Sequence, residues 1–552
     1  MPSKIASPDR GRRSRWRAVA ALSTIGLLLA GCTSGSTPPN PISGPPYTLR
    51  VLASSELTDM APILQAAATA TGVTVRLTTT GSLAGTEAVV DGSTVGQYDA
   101  TWFSTNRYLN LNPGATKKLD GTTQIMYSPV ILGLRTPVAH RLGWDRTKPS
   151  WTDIANAAAR GEFTFGMTDP AKSNSGLSAL VGVATAVAGH GGALQPAAIA
   201  KATPELAGFF HAQTSKTDSS GSLTQSYLGE LTGGTEPATN GLVDYESQLL
   251  TLNGQVAANR SLTLVYPSDG AVTADYPLSL LASAPAGAKS AYQRLTAYLR
   301  TTAVQQDIMR ITHRRPAAGG VQRTGVLATQ QPFTLPFPGT LGTVNGLIDD
   351  YDNTLRRPGR TAYVLDTSGS MAGAGITGLK QALLALTGAD TSATGRFSQF
   401  EAGEQITLLP FNTVPGSPLT ITMPAADQEP VLAQIRHFTD GLTAKGATAI
   451  YDSLVDAYQL VAAQHAADPD RIESIILLTD GENTTGRDLS AFTTFYRALP
   501  ANSPPVFVIM LGQANRTELG KLAALANGLT FDAATATAGA LSAIFEQIRG
   551  YQ

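Results

Sequence analysis

One short run limits this fold more than any other. Ala362-Tyr363-Val364-Leu365 is wholly apolar and stops at Asp366-Thr367-Ser368-Gly369-Ser370. An apolar strand without alternation belongs inside a parallel sheet covered on both faces. Its end puts a carboxylate and two hydroxyls, at i, i+2 and i+4, where open α/β sheets hold their ligands. Two later segments carry matching chemistry. Thr448 opens a helix in which Ile450, Leu454, Ala457, Leu460 and Val461 recur at helical spacing. Ser474–Thr479 reads as another buried strand and ends at Asp480-Gly481-Glu482-Asn483. Asp366, Ser368, Ser370, Thr448 and Asp480 together make a hard, all-oxygen donor set. It has no His or Cys, which argues against zinc and copper and suits one Mg²⁺ or Mn²⁺ ion. Taken singly, the first motif also reads as a strand–turn–helix cap and Asp-Gly as a turn.

The three pieces in this order resemble the von Willebrand factor A domain with its metal-ion-dependent adhesion site (MIDAS), over residues 361–552. By that resemblance Ser368, Ser370 and Thr448 coordinate the ion directly. Asp366 and Asp480 act mainly through water, and a carboxylate from outside completes the site. The resemblance implies a doubly wound, Rossmann-like α/β sheet with one antiparallel edge strand. Gln405–Phe411 is the candidate for that edge. Further strands are expected at Val506–Leu511 and Leu529–Phe531. Helices are expected at Leu379–Leu386, Glu429–Phe438, Leu489–Leu499, Arg516–Leu525 and Ala540–Arg549.

Residues 47–326 alternate short strands and helices, which implies an α/β unit with a largely parallel sheet. Strands are expected at Leu49–Ala53, Val73–Leu77 and Tyr98–Phe103, with a helix over Met60–Thr71 and another over Ala288–Met309. The strand ends are rich in hydroxyls: Ser54 and Ser55, Ser82 after Gly81, Ser104, and Ser173-Asn174-Ser175-Gly176 before the apolar helix Leu177–Val187. Helix N-termini offer free N–H groups, so these residues are candidates for binding a small polar or anionic ligand. Each taken alone reads as an N-cap; four such sites at strand ends together point to a pocket. Tyr127-Ser128-Pro129-Val130, Trp151-Thr152-Asp153-Ile154, Thr168-Asp169-Pro170-Ala171 and Ala274-Asp275-Tyr276-Pro277-Leu278 occur in the order seen in bacterial extracellular solute-binding proteins, which this region resembles. These periplasmic-binding-protein-like receptors serve ABC importers, the phosphate, sulfate and molybdate binders above all. The resemblance implies two α/β lobes, a hinge crossed twice and a ligand cleft. Asp269-Gly270 and Asp275-Tyr276 fall near the cleft or serve as turn and packing residues. Residues 327–360 read as a connector, with a helix over Leu341–Leu355.

The chain opens with a targeting pattern. Lys4 and five arginines up to Arg17 precede a 13-residue apolar stretch, Ala18–Ala30. That is too short to span a bilayer, which takes roughly 18 residues or more, and it suits a secretory signal. Leu29-Ala30-Gly31-Cys32 resembles a bacterial lipobox, in which cleavage precedes a lipid-modified Cys32; the alternative is a free thiol. Residues 1–31 are then a lipoprotein signal peptide and residues 32–46 a Ser/Thr/Pro-rich tether. The expected location is the cell membrane, lipid-anchored and extracytoplasmic in the cell envelope.

Cys32 is the single cysteine, so neither an intramolecular disulfide nor a Cys-rich zinc site is available. Net charge is -1, without the basic excess that nucleic acid demands. The six histidines are dispersed, and no Gly-x-Ser-x-Gly, Walker or His-Glu-x-x-His motif occurs. The leading expectation is a non-enzymatic binding and adhesion protein. It captures a protein or other carboxylate-bearing partner through Mg²⁺ or Mn²⁺, with a small polar or anionic ligand in the first unit. The alternatives are a solute receptor of an ABC importer with an accessory A domain, and a metal-assisted hydrolase in which Glu482 is the nearby candidate base.

Overall fold

The computed structural model describes residues 43–188, 192–232, 239–389, 396–500, 503–512, 514–533 and 538–551. The signal region, Cys32, most of the tether and His190 lie outside them. Three sheets occur among the described residues.

The first sheet has the order Val73–Thr80, Tyr47–Ser54, Ala100–Trp102, Pro277–Leu281, Leu119–Gln124. Its first three strands are parallel, and Pro277–Leu281 runs antiparallel to both neighbours. The second runs Thr273–Ala274, Met126–Arg135, Gly241–Tyr245, Phe165–Thr168, Gln213–Thr217. Leu262–Val265 and Arg315–Pro316 also pair with its long strand Met126–Arg135. The region is therefore two-lobed. The chain passes from the first lobe to the second at Gln124–Met126 and returns at Ala274–Pro277. A third crossing, at His313–Arg315, goes beyond the two expected. Buried Arg315 fixes it with two 2.7 Å bonds to the buried Glu246 carboxylate. Non-glycine residues with positive φ stand at two crossings, Tyr276 at 38° and His313 at 55°. Such backbone costs about 1–3 kcal/mol unless its surroundings hold it. Tyr276 is held by bonds from Trp102 Nε1 to its carbonyl and from its own N–H to the Ser104 carbonyl, with the Arg314 guanidinium over its ring.

The helix expected over Ala288–Met309 is two, Ala286–Leu299 and Thr302–Thr312, because Thr301 adopts an extended N-cap conformation between them. The helix Leu341–Asp350 and the turn Tyr351–Leu355 pack into the core of the first module through Val344, Leu347, Ile348, Tyr351 and Leu355.

The third sheet has the order Leu419–Thr422, Gln405–Phe411, Gly359–Asp366, Ile472–Thr479, Val506–Leu511, Thr530–Ala533. Side chains alternate between its faces. Tyr363, Leu365, Ile476, Leu478, Ile509 and Leu511 join one core with the helices Ala374–Leu384, Glu429–Gly441 and Ala538–Arg549. Ala362, Val364, Ile475, Leu477, Val506 and Val508 join the other with Ile450–Ala467, Leu489–Arg497 and Arg516–Leu525. This is the doubly wound arrangement, and it explains why these strands are apolar throughout. The antiparallel edge is not Gln405–Phe411, which pairs parallel with Gly359–Asp366. It is Leu419–Thr422, which folds back on Gln405–Phe411 as a hairpin. The interior strand is buried at five of seven positions, whereas the edge strand has an exposed residue at every second position.

Candidate functional site

Two sites sit at strand carboxyl ends. In the C-terminal module three loops meet beyond the sheet. Backbone bonds join them: Gly369 N–H to Gly446 O at 2.9 Å, Lys445 N–H to Thr367 O at 2.8 Å, and Thr484 N–H to Thr448 O at 2.9 Å. Asp366 is buried at the base; its Oδ1 accepts the Ser368 N–H at 2.8 Å and its Oδ2 accepts Thr479 Oγ1 at 2.6 Å. Ser368 Oγ lies 3.0 Å from Ser370 Oγ, which donates to Asp480 Oδ1 at 2.8 Å. Thr448 faces the same space. A Cβ on Gly481 would stand 3.4 Å from Ser370 Oγ and 3.7 Å from Thr448 Oγ1, so glycine leaves that gap open. The structure thus gathers all five of Asp366, Ser368, Ser370, Thr448 and Asp480.

Burial raises the Asp366 carboxyl above its ordinary range; hydrogen bonds from Ser368 and Thr479 oppose this, and the Asp480 charge adds to it. Two carboxylates facing one gap with three hydroxyls fit a hard divalent cation, which would offset both desolvation and repulsion. Ser368 is buried while Ser370 is exposed, so the donors form a floor with one open side. Glu482 is exposed. Among the described residues no three of His, Cys, Asp and Glu cluster as metal ligands.

The second site is a cavity of about 290 Å³ between the two lobes. Ser54, Ser55, Ser82 and Ser104 line it from the first lobe and Ser173 from the second. Ser82 and Asn174 begin helices, and Ser220 begins another beside lining Ser219. Ser175 and Gly176 stand behind the wall. Ser175 Oγ is buried in a chain of hydroxyls with Thr168, Ser173 and Ser220 at 2.7, 3.1 and 2.9 Å. Gly176 packs on the Thr168 carbonyl, where a Cβ would come within 2.2 Å. The chain of hydroxyls ends on buried Asp244, whose Oδ1 accepts Ser220 Oγ at 2.7 Å. Burial pushes the Asp244 carboxyl up to about 7, against hydrogen bonds from Ser220 and the Tyr245 N–H.

The cavity also takes in Glu56, Lys172, Asp218 and Gln547, which the sequence reading missed. Glu56 and Lys172 adjoin the serines already singled out, and that adjacency was a usable signal. Asp218 and Gln547 are brought there by tertiary contact alone. Among the described residues the lining side chains are all polar or glycine. Burial raises the Glu56 carboxyl, opposed by its bond from Ser104 and by the Arg314 charge. Asp269 accepts the Trp151 N–H that opens a helix, and Gly270, at φ 111°, forms the turn beside it. Asp275 and Tyr276 belong to the crossing between lobes.

A two-lobed α/β module with a cleft is followed by a doubly wound sheet with an oxygen cluster at its strand ends. Residues 362–547 match the von Willebrand factor type A domain, and the C-terminal module is such a domain. A periplasmic thiamin binding protein is 14% identical with a TM-score of 0.44, covering 56% of this chain and 97% of its own. A ferric binding protein from Campylobacter jejuni is 12% identical with a TM-score of 0.40, covering 55% of this chain and 99% of its own. A von Willebrand factor type A protein from Catenulispora acidiphila is 18% identical with a TM-score of 0.28, covering 36% of this chain and 43% of its own. Comparison with curated proteins gives no match.

Proposed function

We propose that this chain is an extracytoplasmic, non-catalytic binding protein, anchored to the membrane through Cys32, whose A domain captures a carboxylate-bearing partner through one Mg²⁺ or Mn²⁺ ion. The observation that carries this reading is the convergence of five oxygen-bearing side chains from three loops, with a buried carboxylate beneath and an exposed hydroxyl at the rim. A bound ion would supply an electrophilic position that accepts an anionic group from outside. Ser368, Ser370 and Thr448 would hold it, with Asp366 and Asp480 balancing its charge. The first module would bind a small, highly polar solute in its cleft. No helix among the described residues is long and apolar enough to cross a membrane. The proposed anchoring rests on the lipobox-like segment Leu29-Ala30-Gly31-Cys32.

The test uses the soluble chain, residues 33–552. Titration with Mn²⁺, followed by the loss of the free-ion paramagnetic resonance signal, is expected to give one ion per chain. Asp366→Ala and Ser370→Ala are expected to abolish or strongly weaken it. Capture from cell-envelope extract should then require Mg²⁺ and fail with EDTA and with Asp366→Ala. Equal Mn²⁺ uptake by Asp366→Ala would overturn the metal site, and equal capture in all three conditions would overturn its role in adhesion. The inter-lobe cleft favours a second reading, in which the lipoprotein delivers solute to an ABC importer. That reading requires solute uptake to fall when the gene is deleted.

A further inference from the structure

The last turn of the A domain reaches the solute cleft. Gln547, near the end of the helix Ala538–Arg549, lines the cavity together with Asp218 and Ser219 of the second lobe. Its Nε2 donates to Asp218 Oδ2 at 3.2 Å. Tyr551 follows, with its hydroxyl 3.0 Å from both Asp218 Oδ1 and Ser222 Oγ. Between them Gly550 lies so close that a Cβ on it would stand 3.0 Å from Asp218 Cβ. The other charged group on the second-lobe side, Lys172, donates to Ser398 Oγ of the A domain at 2.8 Å. Both charges on that rim are therefore held from outside the module that owns them.

The turn is fixed to its own domain. Arg549 is buried and makes two 2.7 Å bonds to the buried Glu404 carboxylate, and it donates to the Gln399 carbonyl at 2.7 Å. The backbone that carries Gln547 cannot shift without disturbing that pair. The connector ties the same body to the second lobe, with Tyr351 OH on Gln213 Oε1 at 2.8 Å and Arg357 on the Gln213 carbonyl at 3.0 Å.

We propose that the C-terminal turn, Gln547 to Tyr551, is a third wall of the cleft and governs the entry of small polar molecules to it. The A domain and the second lobe act as one jaw, and the first lobe is the other. The biological meaning rests on reading the cleft as a solute site, but the device itself does not.

The chain from residue 33 onward has no cysteine, so Ser82→Cys places a single thiol in the cleft. The experiment measures its alkylation rate by iodoacetamide, a small neutral reagent. The rate is compared with that in Gln547→Ala/Tyr551→Phe and in Gly550→Leu, which crowds the turn away from Asp218. Ser417→Cys on an exposed loop reports intrinsic reactivity. Loss of the contacts is expected to speed labelling of Cys at position 82 about ten-fold, as losing one or two net hydrogen bonds implies, with no change at the control. The double variant removes the rim hydrogen bonds and shortens the exposed Gln547 side chain but leaves the buried Arg549–Glu404 pair in place, so its fold is retained even if Gly550→Leu destabilises the chain. Equal rates in the parent and the double variant, with unchanged melting, would overturn the proposal. Failure of any solute to bind would overturn the cleft's function and leave the labelling result standing.

Discussion

Asp244 offers the sharpest test of the physical account of the cleft. It lies in the fully buried strand Gly241–Tyr245, beneath the hydroxyls that back the cleft wall. Its Oδ1 accepts from Ser220 and from the Tyr245 N–H, both at 2.7 Å, and the Ser175 hydroxyl also favours its charged form. Burial lifts its carboxyl from 3.8 to about 7. The folded state thus holds a proton that the unfolded chain has released, and stability falls as pH rises from about 4 to about 7. Three pK units at about 1.4 kcal/mol each make the full loss about 4 kcal/mol. Asp244→Asn imitates the protonated form at every pH. Its stability advantage over the parent is expected to grow by about 2–3 kcal/mol between pH 5 and pH 7.5. Urea unfolding followed by tryptophan emission reads this out, because Trp102, Trp144 and Trp151 all lie in the first module and none lies beyond it. Titrating groups that do not interact with Asp244 are common to both proteins and drop out of the difference; Glu56, whose charge adds to the rise at Asp244, contributes a smaller coupled change. Parallel stability–pH curves for parent and variant would refute the reasoning.

Arg549→Ala leaves the buried Glu404 side chain without its guanidinium partner and should destabilise the A domain by about 3–5 kcal/mol; Arg549→Met combined with Glu404→Leu should recover most of that loss in a calorimetric double-mutant cycle. Gly528→Ala would bring a methyl within 1.8 Å of the Val506 carbonyl and should cost about 3 kcal/mol or more, read as a lower melting temperature. Gly176→Ala meets the Thr168 carbonyl in the same way and should disturb the Ser173–Ser175 turn, visible as faster amide exchange at the start of that helix. Val414→Ser, on the exposed loop next to the oxygen cluster, should leave Mn²⁺ uptake unchanged within two-fold while the Asp366 variant loses it.

The oxygen cluster was legible because each member follows a local rule: apolar strand, then carboxylate and hydroxyls, then an amphipathic helix. The serines of the cleft were legible for the same reason, since Ser54, Ser82, Ser104 and Ser173 all fall at strand or helix ends. What escaped needed tertiary information. Gln547 and Asp218 are more than 300 positions apart, and nothing local marks either. The break at Thr301 is hidden because helical periodicity continues across it. The two parts played by Ser173 and Ser175, one lining the cavity and one buried behind it, depend on rotation within a single helical turn. The edge is not Gln405–Phe411 because its apolar run is that of an interior strand, whereas the alternation in Leu419–Thr422 is that of an edge.

That edge strand also bears on how this protein avoids its own kind. A sheet margin with free N–H and C=O groups invites another strand, and so invites aggregation. Here the exposed margin is only four residues long and is bracketed by Pro418 and Pro424, neither of which can donate to a ladder. Thr420 and Thr422 are its exposed residues, so what it shows to solvent is small and polar. Under the lipid anchoring proposed above, copies of the chain would meet one another constantly. The proline-bounded hairpin gives those encounters little backbone to grip.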